Sequence, residues 1–382
     1  MMKINLNSMS PTYEMEFSVK SVIQRMYFLT GIFIASILVA CGGDSSTSSS
    51  ATAITYTTLN NPIATSANYM SLTGIRGVDN STDVYITGAT IVGGTYIAQL
   101  YKGPLTGGGT YYTMPYPSSA GFTISSTNSY SADNLANGAV NLVGSYTTTQ
   151  NANQQGFIYT GPVTNNPTSG FVTLSYPGAR QTIPHSVMND LVVGGYETPL
   201  GKLRAFIYQI STGQFTDLKV VTDANNAVTA YGVWHNGGTS YTIVGGYTDI
   251  STKEQAYILD YDSSTGVITN TTTYTYNNQA SALTHFEGIT TNGNGGYYLA
   301  GFGQVTSGGP VSCALVNMTR TVLGPLKTAG FTTTPTWVQA VVPGATTQYA
   351  NTVYQNNLLG TYLPGPIALN GYVANIPTSL IK

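Results

Sequence analysis

The stretch Ser186–Val221, SVMNDLVVGGYETPLGKLRAFIYQISTGQFTDLKVV, has the pattern of a four-stranded β-unit. Two turn sequences interrupt it, Asn189-Asp190 and Ser211-Thr212-Gly213. The four predicted strands begin at Val187, Leu191, Ala205 and Phe215. Four short strands cannot bury both faces of their own sheet, so the unit needs neighbours of the same kind.

Copies of this unit occur along the chain and are identified by their second strand. Its signature is a pair of apolar residues, a small residue, any residue and an aromatic residue. The copies are Leu142–Tyr146, Val192–Tyr196, Ile243–Tyr247 and Leu358–Tyr362, with looser ones at Ile86–Ala89 and Leu299–Phe302. Their spacing of roughly 50–60 residues is typical of propellers and solenoids.

The two ends of the repeat array favour a propeller. The last copy lacks a fourth strand because the chain ends soon after Tyr372–Pro377, whereas a spare strand, Ile54–Leu59, precedes the first copy. A closed ring can use such a strand to complete its last blade, and a solenoid has no use for it. We therefore predict an all-β fold, a six-bladed β-propeller of four-stranded blades that the N-terminal strand closes.

The unit resembles the HAF repeat of bacterial extracellular proteins. The residues that carry the resemblance are Asn189-Asp190, Val192–Gly194, Ala205–Tyr208 and Thr212-Gly213. The central copy matches best, and the outer copies match only at the small and aromatic positions. The resemblance implies a fold and an envelope or exported setting, and it implies no reaction.

Residues 1–53 are predicted to lie outside the propeller. Tyr27–Leu38 is an apolar run too short to span a bilayer, with Lys20 and Arg25 before it. The run ends in Leu38-Val39-Ala40-Cys41, which matches the bacterial lipobox. A signal peptide cleaved elsewhere, or a membrane anchor, is the alternative.

The lipobox sets the predicted domain boundaries. They are a lipoprotein signal peptide over 1–40, a lipidated (palmitate-bearing) Cys41 with a flexible Ser/Thr/Gly tether over 41–53, and a propeller over 54–382. Gly42, rather than an Asp, follows the cysteine, which favours an outer-membrane lipoprotein facing the periplasm or the medium. With Cys41 lipidated, Cys313 is alone, and no intrachain disulfide is expected.

The charge content excludes some partners. The chain has 13 Lys and Arg against 15 Asp and Glu, and charged residues make up 7% of it, where a quarter is typical. Nucleic acids need clustered basic residues, and so does a polybasic membrane patch, so we expect neither. The expected contacts are the membrane through the lipid and a protein or glycan ligand, with the chain a monomer.

Aligning the first strand of every blade gives one polar position where the strands would meet a central funnel. Its candidate ligand-binding residues are Arg76, Tyr130, His185, Tyr231, Glu287 and Asn351. A small residue follows each of them, namely Gly77, Ser131, Ser186, Gly232, Gly288 and Thr352. Such a ring could bind a polar ligand, or its members could satisfy one another and seal a channel.

Metal sites are not predicted. The histidines His185, His235 and His285 fall at different levels of the aligned blades, so they are not expected to converge. The segment Asp260–Gly266 resembles a calcium-binding loop in its spacing of acidic residues. The corresponding turn at Ser211–Gly213 contains no acidic residue, so the turn alone explains the pattern. We predict no metal and no cofactor.

Catalytic signatures are equally scarce. A glycosidase needs two acids near one another, and Glu287 has no second acid near it in the aligned ring. Among the 29 tyrosines, those of the strand signature are expected to pack between blades, whereas Tyr116, Tyr176 or Trp234 could stack on sugar rings.

Taken together, these features predict an envelope-anchored lipoprotein whose propeller is a non-enzymatic binding or scaffolding module for a protein or glycan. The alternative is a glycan-active hydrolase or lyase that uses the funnel around His185, Tyr231 and Glu287. A purely structural envelope protein without a small ligand is a third possibility.

Overall fold

The structure of the chain is a computed structural model. It describes residues 53–59, 61, 69–119, 121–220, 227–281, 283–323, 328–364 and 369–381. All of these belong to one compact unit within Ala51–Lys382. The predicted signal peptide, Cys41 and nearly all of the predicted tether lie outside the described residues.

The described strands form six four-stranded antiparallel sheets, the blades, and one two-stranded hairpin. Blades 1 to 3 consist of β2 (Tyr69–Gly77), β3 (Val84–Val92), β4 (Thr95–Gly103) and β5 (Thr110–Thr113); β6 (Ile124–Asn134), β7 (Ala139–Thr148), β8 (Gln155–Pro162) and β9 (Phe171–Leu174); β10 (Gln181–Met188), β11 (Leu191–Glu197), β12 (Leu203–Gln209) and β13 (Gln214–Asp217). Blades 4 and 5 consist of β14 (Val228–Gly237), β15 (Ser240–Thr248), β16 (Glu254–Asp262) and β17 (Val267–Tyr274); β18 (Leu283–Thr291), β19 (Tyr297–Gln304), β20 (Ser312–Met318) and β23 (Thr336–Ala340). Blade 6 consists of β24 (Thr347–Tyr354), β25 (Asn357–Leu363), β26 (Asn370–Asn375) and the N-terminal strand β1 (Thr55–Thr58).

The ring closes as predicted. Strand β1 pairs antiparallel with β26, with Thr55 opposite Asn375 and Thr58 opposite Tyr372. The Leu59 N–H extends the ladder by donating to the Gly371 carbonyl, 3.0 Å away. The all-β, six-bladed propeller and its closure by the N-terminal strand are therefore confirmed.

Apolar side chains fill each of the six spaces between neighbouring blades. Between blades 3 and 4, for example, Val193 and Ile207 pack against Val233 and Tyr257. Five further clusters occupy the other interfaces, including the one between blades 6 and 1, where Leu359 and Val373 meet Leu72. Since every blade buries both faces against neighbours, the fold depends on an unbroken ring.

Each inner strand carries a β-bulge at an equivalent position, and this bulge explains the small residue of the repeat signature. In blade 3 the ladder shifts register between Pro184 and Ser186, so His185 is the extra residue. The bulge brings the Ile183 carbonyl against Gly194, where an added Cβ would overlap that oxygen. The same close approach occurs at Gly88, Gly144, Gly245 and Gly360.

Blade 5 departs from the common plan. A hairpin of β21 (Arg320–Leu323) and β22 (Thr328–Phe331) is inserted between its third and fourth strands. Helix in the described part of the chain is confined to three short 3₁₀ turns at Ala136–Gly138, Tyr276–Asn278 and Thr378–Leu380. None of the described helices is long and apolar enough to cross a membrane.

Candidate functional site

The six bulges form a ring of side chains around the central axis. Every inner strand contacts the inner strands of both neighbouring blades, which places these strands innermost. The bulged residues are Thr73, Tyr130, His185, Tyr231, Glu287 and Asn351. All six are half-buried, as expected for side chains that line a narrow funnel. Five of them belong to the ring predicted from the sequence.

Arg76 is a correction to that ring. The bulge of blade 1 lies between Leu72 and Gly74, so Thr73 is the residue equivalent to His185. Arg76 lies three residues further along the same strand, and Gly77 is correspondingly not the small residue of the ring. The Thr73 hydroxyl donates to the Ser129 carbonyl of the next blade at 2.6 Å.

The small residues after the bulges lie where adjacent inner strands approach one another. The Ser131 hydroxyl accepts a hydrogen bond from the Val187 N–H at 3.3 Å. A Cβ on Gly288 would lie 2.9 Å from the Thr352 Cα. Larger side chains would push the inner strands apart, so crowding at the axis accounts for the small residues.

Aromatic rings line one arc of the funnel. The His185 ring lies between Tyr130 and Tyr231, with ring centroids 5.5 and 4.7 Å away. Burial lowers the pKa of His185 to about 3, because no acid compensates the lost hydration of the imidazolium. His185 is therefore neutral at physiological pH, and the arc is an uncharged aromatic surface.

Three ionisable residues, His285, Glu254 and Glu287, lie next to this aromatic arc and form an ion triad. The Nε2 atom of His285 lies 2.8 Å from an oxygen of Glu254, and its Nδ1 atom lies 3.3 Å from an oxygen of Glu287. Glu254 comes from the start of β16 in blade 4, whereas the other two residues lie on the inner strand of blade 5. The side chain of Glu287 is 17% exposed, against 10% for Glu254 and 6% for His285, so Glu287 is the most accessible of the three.

The two acids reverse the usual effect of burial on a histidine. Burial alone would lower the pKa of His285, but the hydrogen bonds and charges of Glu254 and Glu287 raise it to about 10. His285 is therefore an imidazolium at neutral pH and donates both ring N–H groups. Gly246 makes room for its ring, since a Cβ there would lie 2.6 Å from the His285 Cδ2 atom.

Arg76 obstructs the channel below this ring. Its guanidinium donates to the Val187 carbonyl at 3.2 Å, lies 3.6 Å from an oxygen of Asp133, and lies 5.4 Å from the centre of the Trp234 ring. These partners come from blades 2, 3 and 4, so the side chain of blade 1 reaches across the axis. Burial lowers the pKa of Arg76, and the Asp133 charge opposes this effect.

Two of the tyrosines considered for sugar stacking pack against other tyrosines. Tyr116 stacks on Tyr146 at 4.1 Å, and Tyr176 stacks on Tyr196 at 3.7 Å, so both rings cover the tyrosine of a strand signature. Trp234 is different, because it also lines a cavity between blades 4 and 5.

Other residues singled out in the sequence have local roles. Asp262 accepts hydrogen bonds from the Ser264 and Thr265 N–H groups of its own turn, and Asp260 pairs with Arg320 at 2.6 Å, which accounts for both acids without calcium. Cys313 is fully buried, and burial raises the pKa of its thiol to about 12. No group of three or more His, Cys, Asp or Glu in the described part of the chain is arranged to hold a metal ion.

No protein-family model matches the sequence, and no curated protein does either. Among solved structures, the chain is similar to an exo-1,5-α-L-arabinanase from a bovine ruminal metagenomic library, with 10% identity, a TM-score of 0.39, and coverage of 70% of this chain and 98% of that one. It is also similar to a GH43_1 enzyme from Xanthomonas citri complexed with xylotriose, with 13% identity, a TM-score of 0.37, and coverage of 69% and 90%. A third similar structure is an exo-β-1,3-galactanase from Clostridium thermocellum, with 10% identity, a TM-score of 0.38, and coverage of 81% of this chain and 82% of that one. These similarities concern the fold alone.

The predicted non-enzymatic binding or scaffolding role is wrong. That prediction rested on the lipobox, the repeats and the missing catalytic motifs, among them a second acid near Glu287, and the structure places Glu254 on the other side of the His285 ring. Glu254 was missed because it lies on the third strand of the neighbouring blade, outside the aligned first strands.

Proposed function

We propose that this protein is a glycan-active hydrolase whose active site is the funnel lined by the six bulged residues. The observation that carries the proposal is the Glu254–His285–Glu287 triad. The Glu287 carboxylate lines the funnel, His285 lies against it, and Glu254 contacts the other nitrogen of the His285 ring. Glu287 is the catalytic residue of the proposal. His285 and Glu254 are positioning residues, because they act through Glu287.

The chemistry assigned to Glu287 is proton transfer in the cleavage of a glycosidic bond. Glu287 removes a proton from the attacking water while the water oxygen bonds to the anomeric carbon and the bond from that carbon to the glycosidic oxygen breaks, and Glu287 then passes the proton to the leaving oxygen. The reaction is faster when the carboxylate is already oriented. The Nδ1–H of His285 supplies that orientation. Tyr130, His185 and Tyr231 provide aromatic faces on which a sugar ring can lie.

Hydrolysis of a neutral glycan fits the funnel better than elimination from an acidic one. Elimination requires a positive group to neutralise the substrate carboxylate. The six bulged residues include no Lys or Arg, His185 is neutral, and His285 is already paired with two acids. Arg76 is buried against Asp133. The funnel is therefore suited to an uncharged glycan.

The test is the release of reducing ends from neutral glycans by the purified full chain. Glu287→Gln should lower the rate at least about 100-fold, the usual contribution of a general acid or base. Glu197→Gln is the matched control, because Glu197 pairs with the half-exposed Arg180 in blade 3, away from the funnel, and should leave the rate unchanged.

Three outcomes would contradict the proposal. Glycan binding without cleavage would indicate a binding module, and an unsaturated product would indicate a lyase. Equal loss of activity in Glu287→Gln and Glu197→Gln would remove the special role of Glu287.

We also propose that the propeller is held on the bacterial envelope as a lipoprotein with HAF-type repeats. The lipobox at Leu38–Cys41 and the Ser/Thr-rich segment after it support this setting. A diacylated cysteine buries enough methylene groups for stable anchoring, at about 0.8 kcal/mol each. Cys41→Ala should leave an unprocessed precursor without acyl chains, and normal processing of that variant would contradict the lipobox.

A further inference from the structure

Arg320, the first residue of the inserted hairpin of blade 5, forms part of one wall of a second cavity, away from the funnel. The cavity has a volume of about 680 Å³ and lies between blades 4 and 5. Its blade 4 residues Trp234 and Asn236 lie near the end of the inner strand, whereas the bulged Tyr231 lies near the start. A volume of this size is within the range of small-molecule sites, roughly 300–1,000 Å³.

Arg320 holds this wall in place. Its guanidinium makes two hydrogen bonds to Asp260 of blade 4, at 2.6 and 2.8 Å, and lies 4.6 Å from the centre of the Phe331 ring. It also donates to the Tyr297 hydroxyl at 2.9 Å. That hydroxyl in turn donates to the Asn236 side-chain carbonyl at 2.6 Å. The network crosses the blade interface, so the cavity is preorganised.

The charges of the cavity favour an uncharged ligand. Asp260 and Arg320 neutralise each other, and Asp262 remains as a carboxylate at the rim. Among the described residues that line the cavity, Arg320 is the only Lys or Arg and it is paired with Asp260, so an anion would meet the Asp262 carboxylate without an unpaired Lys or Arg to offset it. Ser240 and Thr269 line the cavity and are exposed, so their hydroxyls are accessible to a ligand.

Trp234 supplies the apolar part of the cavity. The Trp234 ring contacts the guanidinium of Arg76, which lies in the central channel, and the same ring lines the cavity. An aromatic ring beside hydroxyl and amide groups, with paired charges, matches a sugar, which has an apolar face and an edge of hydroxyls. We infer that this cavity binds a short neutral saccharide, at a site separate from the funnel. The inference does not depend on the funnel being catalytic.

The experiment is a calorimetric titration of the full chain carrying Glu287→Gln with short neutral oligosaccharides of pentoses and hexoses. Adding Thr269→Tyr fills the cavity with a side chain and should weaken binding at least about tenfold. Thr271→Tyr is the matched control, because Thr271 is an exposed residue of the same strand that does not line the cavity, and it should bind like its parent. Thermal melts establish that both variants are folded.

Unchanged affinity in Thr269→Tyr would overturn the inference, and so would the absence of binding by every neutral saccharide. Unchanged affinity would place binding outside the cavity and leave the proposed hydrolase intact. The reducing-end assay judges the hydrolase separately, since a protein that cleaves glycans normally with Thr269→Tyr retains its funnel whether or not the cavity binds.

Discussion

Glu254 and His285 lie on adjacent blades, and an oxygen of Glu254 is 2.8 Å from the Nε2 atom of His285. The pair therefore joins the third strand of blade 4 to the inner strand of blade 5. Removing one partner of a buried ion pair leaves an uncompensated charge, which costs on the order of 3 kcal/mol. Glu254→Gln should lower the free energy of unfolding by about that amount in urea titrations. Glu197→Gln should cost less, because the side chain of its partner Arg180 is half-exposed and water solvates the unpaired guanidinium.

The same triad makes stability depend on pH. The pKa of His285 is about 10 in the folded protein and near 6.5 when the chain is unfolded, so the folded state holds the proton more tightly. Its contribution is complete below pH 6.5 and is lost as the pH rises towards 10. The free energy of unfolding should fall across this window, and the fall should be smaller in His285→Gln. An equal pH dependence in both proteins would contradict the raised pKa.

Gly246 and Gly195 occupy the same position of the strand signature and should respond differently to alanine. A Cβ on Gly246 would lie 2.6 Å from the His285 ring, whereas on Gly195 the nearest atom is the Thr229 methyl at 3.3 Å. Gly246→Ala should therefore cost about 1–3 kcal/mol through overpacking. Gly195→Ala should stay within about 1 kcal/mol of the wild type, since alanine also reduces the entropy of the unfolded chain. Similar losses in the two variants would show that His285 is not confined by Gly246.

Blade 1 shows why the ring could be predicted only in part. Its inner strand contains the pattern of a polar residue, a glycine and an apolar residue twice, at Thr73–Ile75 and at Arg76–Val78. The bulge lies in the first copy, at Thr73, and nothing local in the sequence distinguishes the two copies. Blades 2 to 6 lack this ambiguity, and in each of them the residue aligned from the sequence is the bulged residue.

The partner of Glu287 could not be predicted for a different reason. Alignment within a repeat identifies equivalent positions, but Glu254 reaches His285 through the packing of one blade on the next. The second glycine of the Ile243–Tyr247 signature was the available signal, because a residue without a side chain leaves room for a neighbour. Strand periodicity was sufficient for the fold, since each blade repeats the same local pattern.

Arg76 and Asp133 should behave as a coupled pair. Arg76→Met leaves the Asp133 carboxylate buried without its cation, at a cost of about 3 kcal/mol. Asp133→Asn likewise leaves the Arg76 guanidinium buried without its counterion. The new asparagine can still accept the hydrogen bond that the Asn189 backbone N–H donates to Asp133 at 2.6 Å. The double variant should be more stable than the sum of the two losses predicts, by about 0.5–3 kcal/mol in a double-mutant cycle. Strict additivity would show that Arg76 crosses the axis without depending on Asp133.

Closure of the ring by β1 can be tested with a disulfide. Thr55 and Asn375 face each other in the β1–β26 ladder, and both are exposed, so Thr55→Cys with Asn375→Cys should crosslink on oxidation and raise the melting temperature. Thr58→Cys with Asn375→Cys is the out-of-register control and should crosslink poorly, since Thr58 faces Tyr372. Cys313 is fully buried and should not compete.

Deleting β1 tests the same closure from the other side. Removal of residues 52–62 takes away the outer strand of blade 6 and the buried Leu59, which packs at the interface between blades 6 and 1. Because each blade is held between two neighbours, the loss should spread around the ring and lower the melting temperature of the whole domain in one transition. Removal of residues 42–51, which precede the strand, should leave the melting temperature unchanged. A domain that melts normally after the first deletion would show that five complete blades and a three-stranded sixth suffice, and the ring would not need its N-terminal strand.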